Sequence, residues 1–178
     1  MDYRLDLIVY SSLPIVFMFH EFEEILFLKY WLNKDKNYLR NKFGRIGQKI
    51  YAQYSKFSTA GFVLAVAEEF ILISVLTYIS IIYLNYYLWF TVFMGFFIHI
   101  IIHIFQWLIY RRYLPTIVSS ILVLPYCIYC FIDIMNKNVL EIEWIIVCSI
   151  VGIICVLINL KFIHYIGHKF SRWENRII

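Results

Sequence analysis

Residues 87–110 read YLWFTVFMGFFIHIIIHIFQWLIY. This run contains no Lys, Arg, Asp or Glu, and at about 1.5 Å per residue a helix of its length crosses the roughly 30 Å hydrocarbon core of a bilayer. Four further apolar runs of sufficient length flank it, at 7–32, 59–84, 116–135 and 144–163. The pattern predicts an all-α, polytopic membrane bundle of about five transmembrane helices.

The composition agrees with a membrane protein. The chain has 178 residues, of which 62% are hydrophobic and 16% are charged, and its mean hydropathy is +0.74. A soluble domain of this size has too little interior to bury so many apolar side chains. One helical bundle accounts for the whole length, so we expect a single transmembrane domain over residues 1–178.

The distribution of basic residues orients this bundle. Between the first two predicted spans, segment 33–58 carries seven Lys and Arg side chains against a single Asp. The positive-inside rule predicts that this segment is a cytoplasmic loop, that the N-terminus lies outside and that the C-terminus lies in the cytoplasm. Because the net charge of +4 is spread along such flanks, it does not indicate nucleic-acid binding.

One part of the basic segment has a helical period. Ile46, Ile50, Tyr54 and Phe57 recur at helical spacing with polar residues between them. This pattern is typical of an amphipathic helix on the inner leaflet of the membrane. An irregular basic loop explains the same residues equally well, and the sequence leaves both alternatives open.

Ionisable residues lie inside the predicted spans. They comprise five of the twelve acidic residues, namely Glu21, Glu23, Glu24, Glu68 and Glu69, and three histidines, His20, His99 and His103. An acidic side chain at the centre of an inserted helix costs roughly 2.5–3.5 kcal/mol on insertion scales. These groups must therefore face inward, where they are protonated, paired, hydrated or bound to a cation.

Helical spacing groups these residues on common faces. His20, Glu23 and Glu24 stand at positions i, i+3 and i+4, and His99 and His103 at i and i+4. With the predicted topology, both sets lie near the middle of the membrane. Three helices therefore contribute polar groups at one depth when the second span is included.

In the second span the sequence favours Glu69 over Glu68. Adjacent helical residues point about 100° apart, so both carboxylates cannot face the same neighbour. Ala65 lies one turn before Glu69, and its small side chain lets another helix approach on that face.

Imidazole and carboxylate groups together are the ligands that zinc and non-haem iron or manganese use. We predict a divalent metal site, with zinc first and iron or manganese next, including a dinuclear form. The predicted ligands are His20, Glu24, Glu69, His99 and His103. Glu23 is the predicted general base, and the resulting hypothesis is an intramembrane metal-dependent enzyme, such as a hydrolase of a lipid or membrane-embedded substrate.

Other functions fit the same residues. The cluster could carry protons or cations across the membrane, or it could be a hydrogen-bonded network within a non-catalytic immunity or accessory protein. His164 and His168 form another i, i+4 pair, which we expect at the interface, although it could join the site. Membrane lipids surround the protein in every case, and an oligomer is compatible with each function.

Several motifs carry a family resemblance. They are His20-Glu21-Phe22-Glu23-Glu24 after Leu13-Pro14-Ile15-Val16-Phe17, then Ala65-Val66-Ala67-Glu68-Glu69, then His103 with Gln106, then Arg112-Tyr113-Leu114-Pro115. In this order they resemble the HXXEE domain family of small bacterial integral membrane proteins. The resemblance covers most of the chain and implies a multi-pass protein of the bacterial cell membrane. It also implies a membrane-embedded metal enzyme, without naming a substrate.

Overall fold

The computed structural model describes residues 3–177 as six helices joined by short connections. The helices are α1 (Tyr3–Ser11), α2 (Leu13–Tyr54), α3 (Thr59–Ile82), α4 (Tyr86–Tyr110), α5 (Ile117–Lys137) and α6 (Ile142–Ile177). No β-strand occurs within this range. The prediction of an all-α chain is confirmed.

Four of these helices, α3 to α6, are long and apolar enough to cross a membrane. They correspond to the last four predicted spans. The first predicted span, 7–32, is divided between α1 and α2, and its α2 part carries Glu21, Glu23, Glu24 and Lys29. These charges make it less apolar than the other four. The chain is therefore an all-helical protein with four candidate membrane-spanning helices.

Segment 33–58, which we expected to connect the first two spans as a cytoplasmic loop, is helical as far as Tyr54, because α2 continues through it. Leu39 is buried in this segment, and it belongs to a cluster with Trp31 and Leu32 of the same helix and Tyr110 of α4. One apolar face therefore holds the segment against the bundle while its basic side chains point outward. Lys and Arg are good helix formers, so a basic segment between two spans can itself be helical.

A bend in α2 lies at Gly44. Its backbone has φ 53° and ψ −122°, a conformation that favours glycine because a Cβ atom would be strained there. Beyond the bend the chain is helical again as far as Tyr54. Of the two alternatives for the region after Gly44, the structure contains the helix.

Helix α4 packs against α3, α5 and α6. Phe90 and Phe93 on α4 are fully buried. The backbones of α4 and α6 approach closely at two glycines, since a Cβ atom on Gly152 would lie only 2.6 Å from the carbonyl oxygen of Thr91 and 3.0 Å from the nitrogen of Gly95. Such small residues allow close helix packing in membranes, and here they fix the helix that carries His99 and His103.

Candidate metal centre

Three histidines converge between α2 and α4. His20 comes from α2, and His99 and His103 lie one turn apart on α4. One side-chain nitrogen from each ring can be chosen so that all three lie within 4.8 Å of one another. The Nε2 atoms of His99 and His103 are 2.9 Å apart, and His20 is completely buried. We call these three residues the histidine cluster.

Glu21 is the carboxylate that meets the histidine cluster. Its Oε1 atom lies 3.6 Å from Nε2 of His99 and 4.0 Å from Nε2 of His20. The side chain is almost fully buried. Glu21 was counted among the acidic residues of the first span, but its position beside His20 in the helix did not place it on the face of His20 and Glu23. The long side chain nevertheless reaches the histidines.

Glu23, the predicted general base, lies at the N-terminus of α5. Its Oε2 atom accepts hydrogen bonds from the backbone N–H of Ser119 at 2.7 Å and from the Ser119 hydroxyl at 2.6 Å. Its Oε1 atom accepts one from the Tyr113 hydroxyl at 2.9 Å. The first N–H groups of a helix lack intrahelical partners and attract negative charge. Since Thr116 makes no side-chain cap for α5, Glu23 of α2 caps it instead.

Ser119 connects this cap to the histidine cluster. Its Oγ atom lies 3.1 Å from Nδ1 of His20 and 2.6 Å from Oε2 of Glu23. Oε2 of Glu23 is the nearest acceptor of the Ser119 hydroxyl, whose other acceptors are the carbonyl oxygens of Thr116 at 3.1 Å and His20 at 3.2 Å. Since a carboxylate can only accept hydrogen bonds, we assign the hydroxyl proton to this shortest contact, and Nδ1 of His20 is then the donor to Ser119. Nε2 of His20 then carries a lone pair. That atom is buried and makes no hydrogen bond with any described residue, which is the state required of a metal ligand.

Nothing in the sequence indicated the role of Ser119. It is one of two consecutive serines in an apolar span, and it lies 99 residues from its partner His20. Only the packing of α5 against α2 brings the two side chains together.

Glu24 and Glu69, the remaining predicted ligands, line a cleft beside the histidine cluster. The cleft has a volume of about 170 Å³, and Glu21, His99 and His103 also line it. Neither Glu24 nor Glu69 belongs to the group of ligand atoms that lie within 4.8 Å of one another. The three histidines among the five predicted ligands are therefore brought together, and the two carboxylates lie next to them.

A family comparison bears directly on these residues. The family model described as a protein of unknown function with an HXXEE motif matches residues 12–130. The chain belongs to the HXXEE family. His20, Glu23 and Glu24 are the residues that fit the motif in the family's name, and position 21 is one of its two unspecified positions. No curated protein and no solved structure matches the chain.

The other two histidines of this HXXEE protein lie apart from the cluster. His164 lines the far part of the same cleft, and its Nδ1 is hydrogen-bonded to the Gln53 side chain at 2.8 Å. The ring of His168 packs on Phe57 with 4.0 Å between centroids. Neither residue contributes to the ligand atoms of the histidine cluster that lie within 4.8 Å of one another.

An apolar cleft of about 340 Å³ adjoins the site of the HXXEE protein. Trp31, Ile50 and Leu114 are among its lining residues, and Glu24 and His103 belong to both clefts. Tyr54 also lines both. Burial raises the pKa of Tyr54 to about 12, and the carboxylates of Glu24 and Glu21 add to the shift. The phenol therefore stays protonated at neutral pH and can donate a hydrogen bond.

Proposed function

We propose that this HXXEE protein is a membrane-embedded, metal-dependent hydrolase. The observation that supports it best is the histidine cluster, in which two helices supply three imidazoles with ligand atoms within 4.8 Å of one another. Zinc is the metal that we propose first, followed by iron or manganese, and a dinuclear site is a variant. Imidazole and carboxylate ligands suit all of these ions.

The spacing of His99 and His103 is close to that of a mononuclear site. Two nitrogens that each lie about 2.1 Å from one zinc ion are roughly 3 to 3.5 Å apart. The Nε2 atoms of His99 and His103 are separated by 2.9 Å, and Nε2 of His20 makes no hydrogen bond with any described residue. Glu24 and Glu69 line the adjoining cleft, and either would become a further ligand after a change of side-chain conformation.

Glu21 takes the general-base role in this proposal. A bound zinc ion would act as a Lewis acid towards a substrate carbonyl group. Water adds to the carbonyl carbon of an ester or amide, the bond to the leaving oxygen or nitrogen breaks, and the proton lost by the water is delivered to the leaving group. Glu21 lies beside His99 and His20 and can carry that proton. Glu23 cannot do so while its oxygens cap α5.

The proposed substrate is a lipid or a membrane-embedded segment. The apolar cleft beside Glu24 and His103 supports this class, because its walls are side chains such as Trp31 and Leu114. Concave, largely apolar sites with a few polar groups are typical of ligand binding. We further propose that α1 and the start of α2 cross the membrane together as a fifth span. The N-terminus would then lie outside and the C-terminus in the cytoplasm of a bacterial cell.

One observation favours a second candidate, a pathway for protons. The Nε2 atoms of His99 and His103 are 2.9 Å apart, which is also a hydrogen-bond distance between one protonated and one unprotonated ring nitrogen. Gln106 extends this contact at 3.0 Å from Nδ1 of His103, and Glu21 lies on the other side of His99. Without a metal, this chain of groups can relay protons.

Metal content separates the two candidates. We would purify the full chain in a neutral detergent and measure bound metals by plasma mass spectrometry for the wild type, His99→Ala and His168→Ala. For a mononuclear site, the proposal predicts roughly one equivalent of zinc, iron or manganese per protein chain. His99→Ala should lose this metal. His168→Ala is the matched control, because it removes an imidazole outside the histidine cluster, and it should retain the metal.

Turnover is measured on the same samples with phospholipids that carry a fluorescent ester-linked acyl chain. We expect hydrolysis by the wild type, none by His99→Ala, and metal without hydrolysis in Glu21→Gln. A folded wild type that stays metal-free after incubation with each ion would contradict the proposal and favour the proton pathway, which proton flux in liposomes then tests.

A further inference from the structure

A second polar cleft lies between the end of α2 and the end of α6, away from the histidine cluster. Its volume is about 630 Å³. The polar residues that line it are Lys49, Gln53, Lys56, His168, Arg172 and Asn175. Within the described part of the chain, no Asp or Glu lines it. We call it the basic cleft.

Contacts of α2 and of the connection after it with α6 hold the walls of the basic cleft in place. The side chain of Gln53 is hydrogen-bonded to His164, and the ring of Phe57 packs on His168. The backbone N–H of Ser58 donates to the hydroxyl of Ser171 at 2.9 Å. These contacts join the segment that carries Lys49 and Lys56 to the face of α6 that carries Arg172.

Two glycines reinforce this junction. A Cβ atom on Gly61 would lie 2.8 Å from the carbonyl oxygen of Gly167, and one on Gly167 would lie 2.4 Å from the ring of Phe57. The start of α3 and the last third of α6 are therefore in direct backbone contact, as small residues allow in membrane bundles. The positions of the cations relative to one another follow from this packing.

We propose that the basic cleft binds a phosphate group. Lys49 of α2, Lys56 of the connection after α2 and Arg172 of α6 supply three positive charges, and Gln53 and Asn175 add amide donors. An Arg guanidinium can donate two parallel hydrogen bonds to phosphate oxygens, and lysines add point charges. This site is separate from the proposed hydrolase site and does not rest on that activity.

The length of α6 suggests where the phosphate comes from. The helix has 36 residues, so it is roughly 54 Å long and exceeds the hydrocarbon core of a bilayer. Arg172 lies 30 residues after Ile142, about 45 Å along the axis. If α6 enters the bilayer near Ile142, the basic cleft lies at the level of the headgroups, where basic pockets bind anionic lipids. Free phosphate in solution is the other source of the same chemistry.

The test compares these sources on the full chain in neutral detergent. Native mass spectrometry gives the dissociation constant of phosphatidylglycerol, with phosphatidylcholine as the zwitterionic reference. Titration calorimetry gives the dissociation constant of inorganic phosphate, with chloride at equal ionic strength as the reference. The variants are Lys56→Gln and Arg172→Gln. The matched control is Lys169→Gln, which removes an exposed charge from the same part of α6 outside the cleft.

Loss of one charge-assisted contact should weaken binding about tenfold. If Lys56→Gln and Arg172→Gln weaken phosphatidylglycerol binding to this extent and Lys169→Gln does not, the cleft binds a lipid headgroup. The same pattern with inorganic phosphate identifies free phosphate as the ligand. Equal effects of all three variants, or no effect of any of them, would overturn the proposal, because the charge of the whole surface would then explain the binding.

Discussion

Two buried polar clusters of this protein differ in how their groups are paired. In the first, α1 and α5 bring Tyr10, Asp133 and Lys137 together, and the Asp133 carboxylate accepts hydrogen bonds from both the Tyr10 hydroxyl and the Lys137 ammonium. In the second, the histidine cluster and Glu21 lie beside a cleft that Glu24 and Glu69 also line. There, Nε2 of His20 is buried and makes no hydrogen bond with any described residue.

This difference distinguishes a structural network from a candidate site. In the first cluster an anion meets a cation, so burial leaves no charge uncompensated. In the second cluster the described residues that line the cleft include three glutamates but no Lys or Arg. A bound cation would supply the missing positive charge, as protons would in the alternative proposal.

The largest effect that we expect is on stability, in the first cluster. Lys137→Met leaves the Asp133 carboxylate buried without its ammonium partner, and removal of one member of a buried pair costs about 3–5 kcal/mol. The free energy of unfolding in mixed micelles measures this loss, and metal content should stay at the wild-type level.

The double variant Lys137→Met with Asp133→Leu is the control. Replacing both charges by apolar groups should restore most of the stability, because a buried ion pair contributes little net energy. If the single and double variants were equally unstable, the first cluster would not be a closed ion pair of this kind.

A smaller effect, on metal affinity, is expected for Ser119, which joins the Glu23 cap of α5 to His20 of the second cluster. Ser119→Ala removes the hydroxyl that links Nδ1 of His20 to Glu23, and loss of such an outer partner typically weakens metal affinity about 10- to 100-fold. Competition with a zinc-chelating dye measures the change. Ser120→Ala removes the neighbouring buried hydroxyl and should leave the affinity unchanged. Equal affinities of the two variants would show that Ser119 does not position His20.

The smallest effect concerns Tyr113, which donates a hydrogen bond to Glu23 from the connection between α4 and α5. Tyr113→Phe should reduce the free energy of unfolding by at most about 1 kcal/mol, because Glu23 keeps both bonds to Ser119. Its effect on metal affinity should be below that of Ser119→Ala, as measured with the same dye.

The effect of Tyr113→Phe also has an expected pH dependence. Burial raises the pKa of Tyr113 above its ordinary value of 10, and the bond to Glu23 adds to the shift. The protonated phenol is therefore favoured in the folded state, and its contribution is complete below pH 10 and declines as the pH rises further. If the difference in the free energy of unfolding between the wild type and Tyr113→Phe already shrank between pH 6 and pH 9, this assignment would be contradicted.

Much of the fold could be predicted from the sequence. Helices α3, α4 and α5 agree with the predicted spans to within two residues at every end, since long apolar runs leave little choice of structure. Segment 33–58 is helical as far as Tyr54, and the sequence did not show that Leu39 on its apolar face is buried. Helix α6 continues beyond the predicted end of its span at residue 163 as far as Ile177, because polar last turns do not count towards an apolar run.

The candidate site was predictable only in part. The i, i+4 spacing of His99 and His103 predicts that they share a face, and their rings do meet. Which carboxylate meets them was not predictable, because the reach of a side chain and the rotation of α2 relative to α4 are not contained in the spacing along either helix. Glu23, the predicted general base, caps α5, and Glu21, for which no role was predicted, lies beside His99.

The sequence by itself determined the helical architecture and the placement of an unusual number of His and Glu residues within apolar helices, because both follow from local hydropathy and from the period of a helix. Tertiary structure alone decided the partners of those side chains. Glu23 caps α5, and Ser119 orients His20 from 99 residues away along the chain. Such contacts depend on how whole helices pack, and a short polar motif contains no information about which helix end will lie beside it.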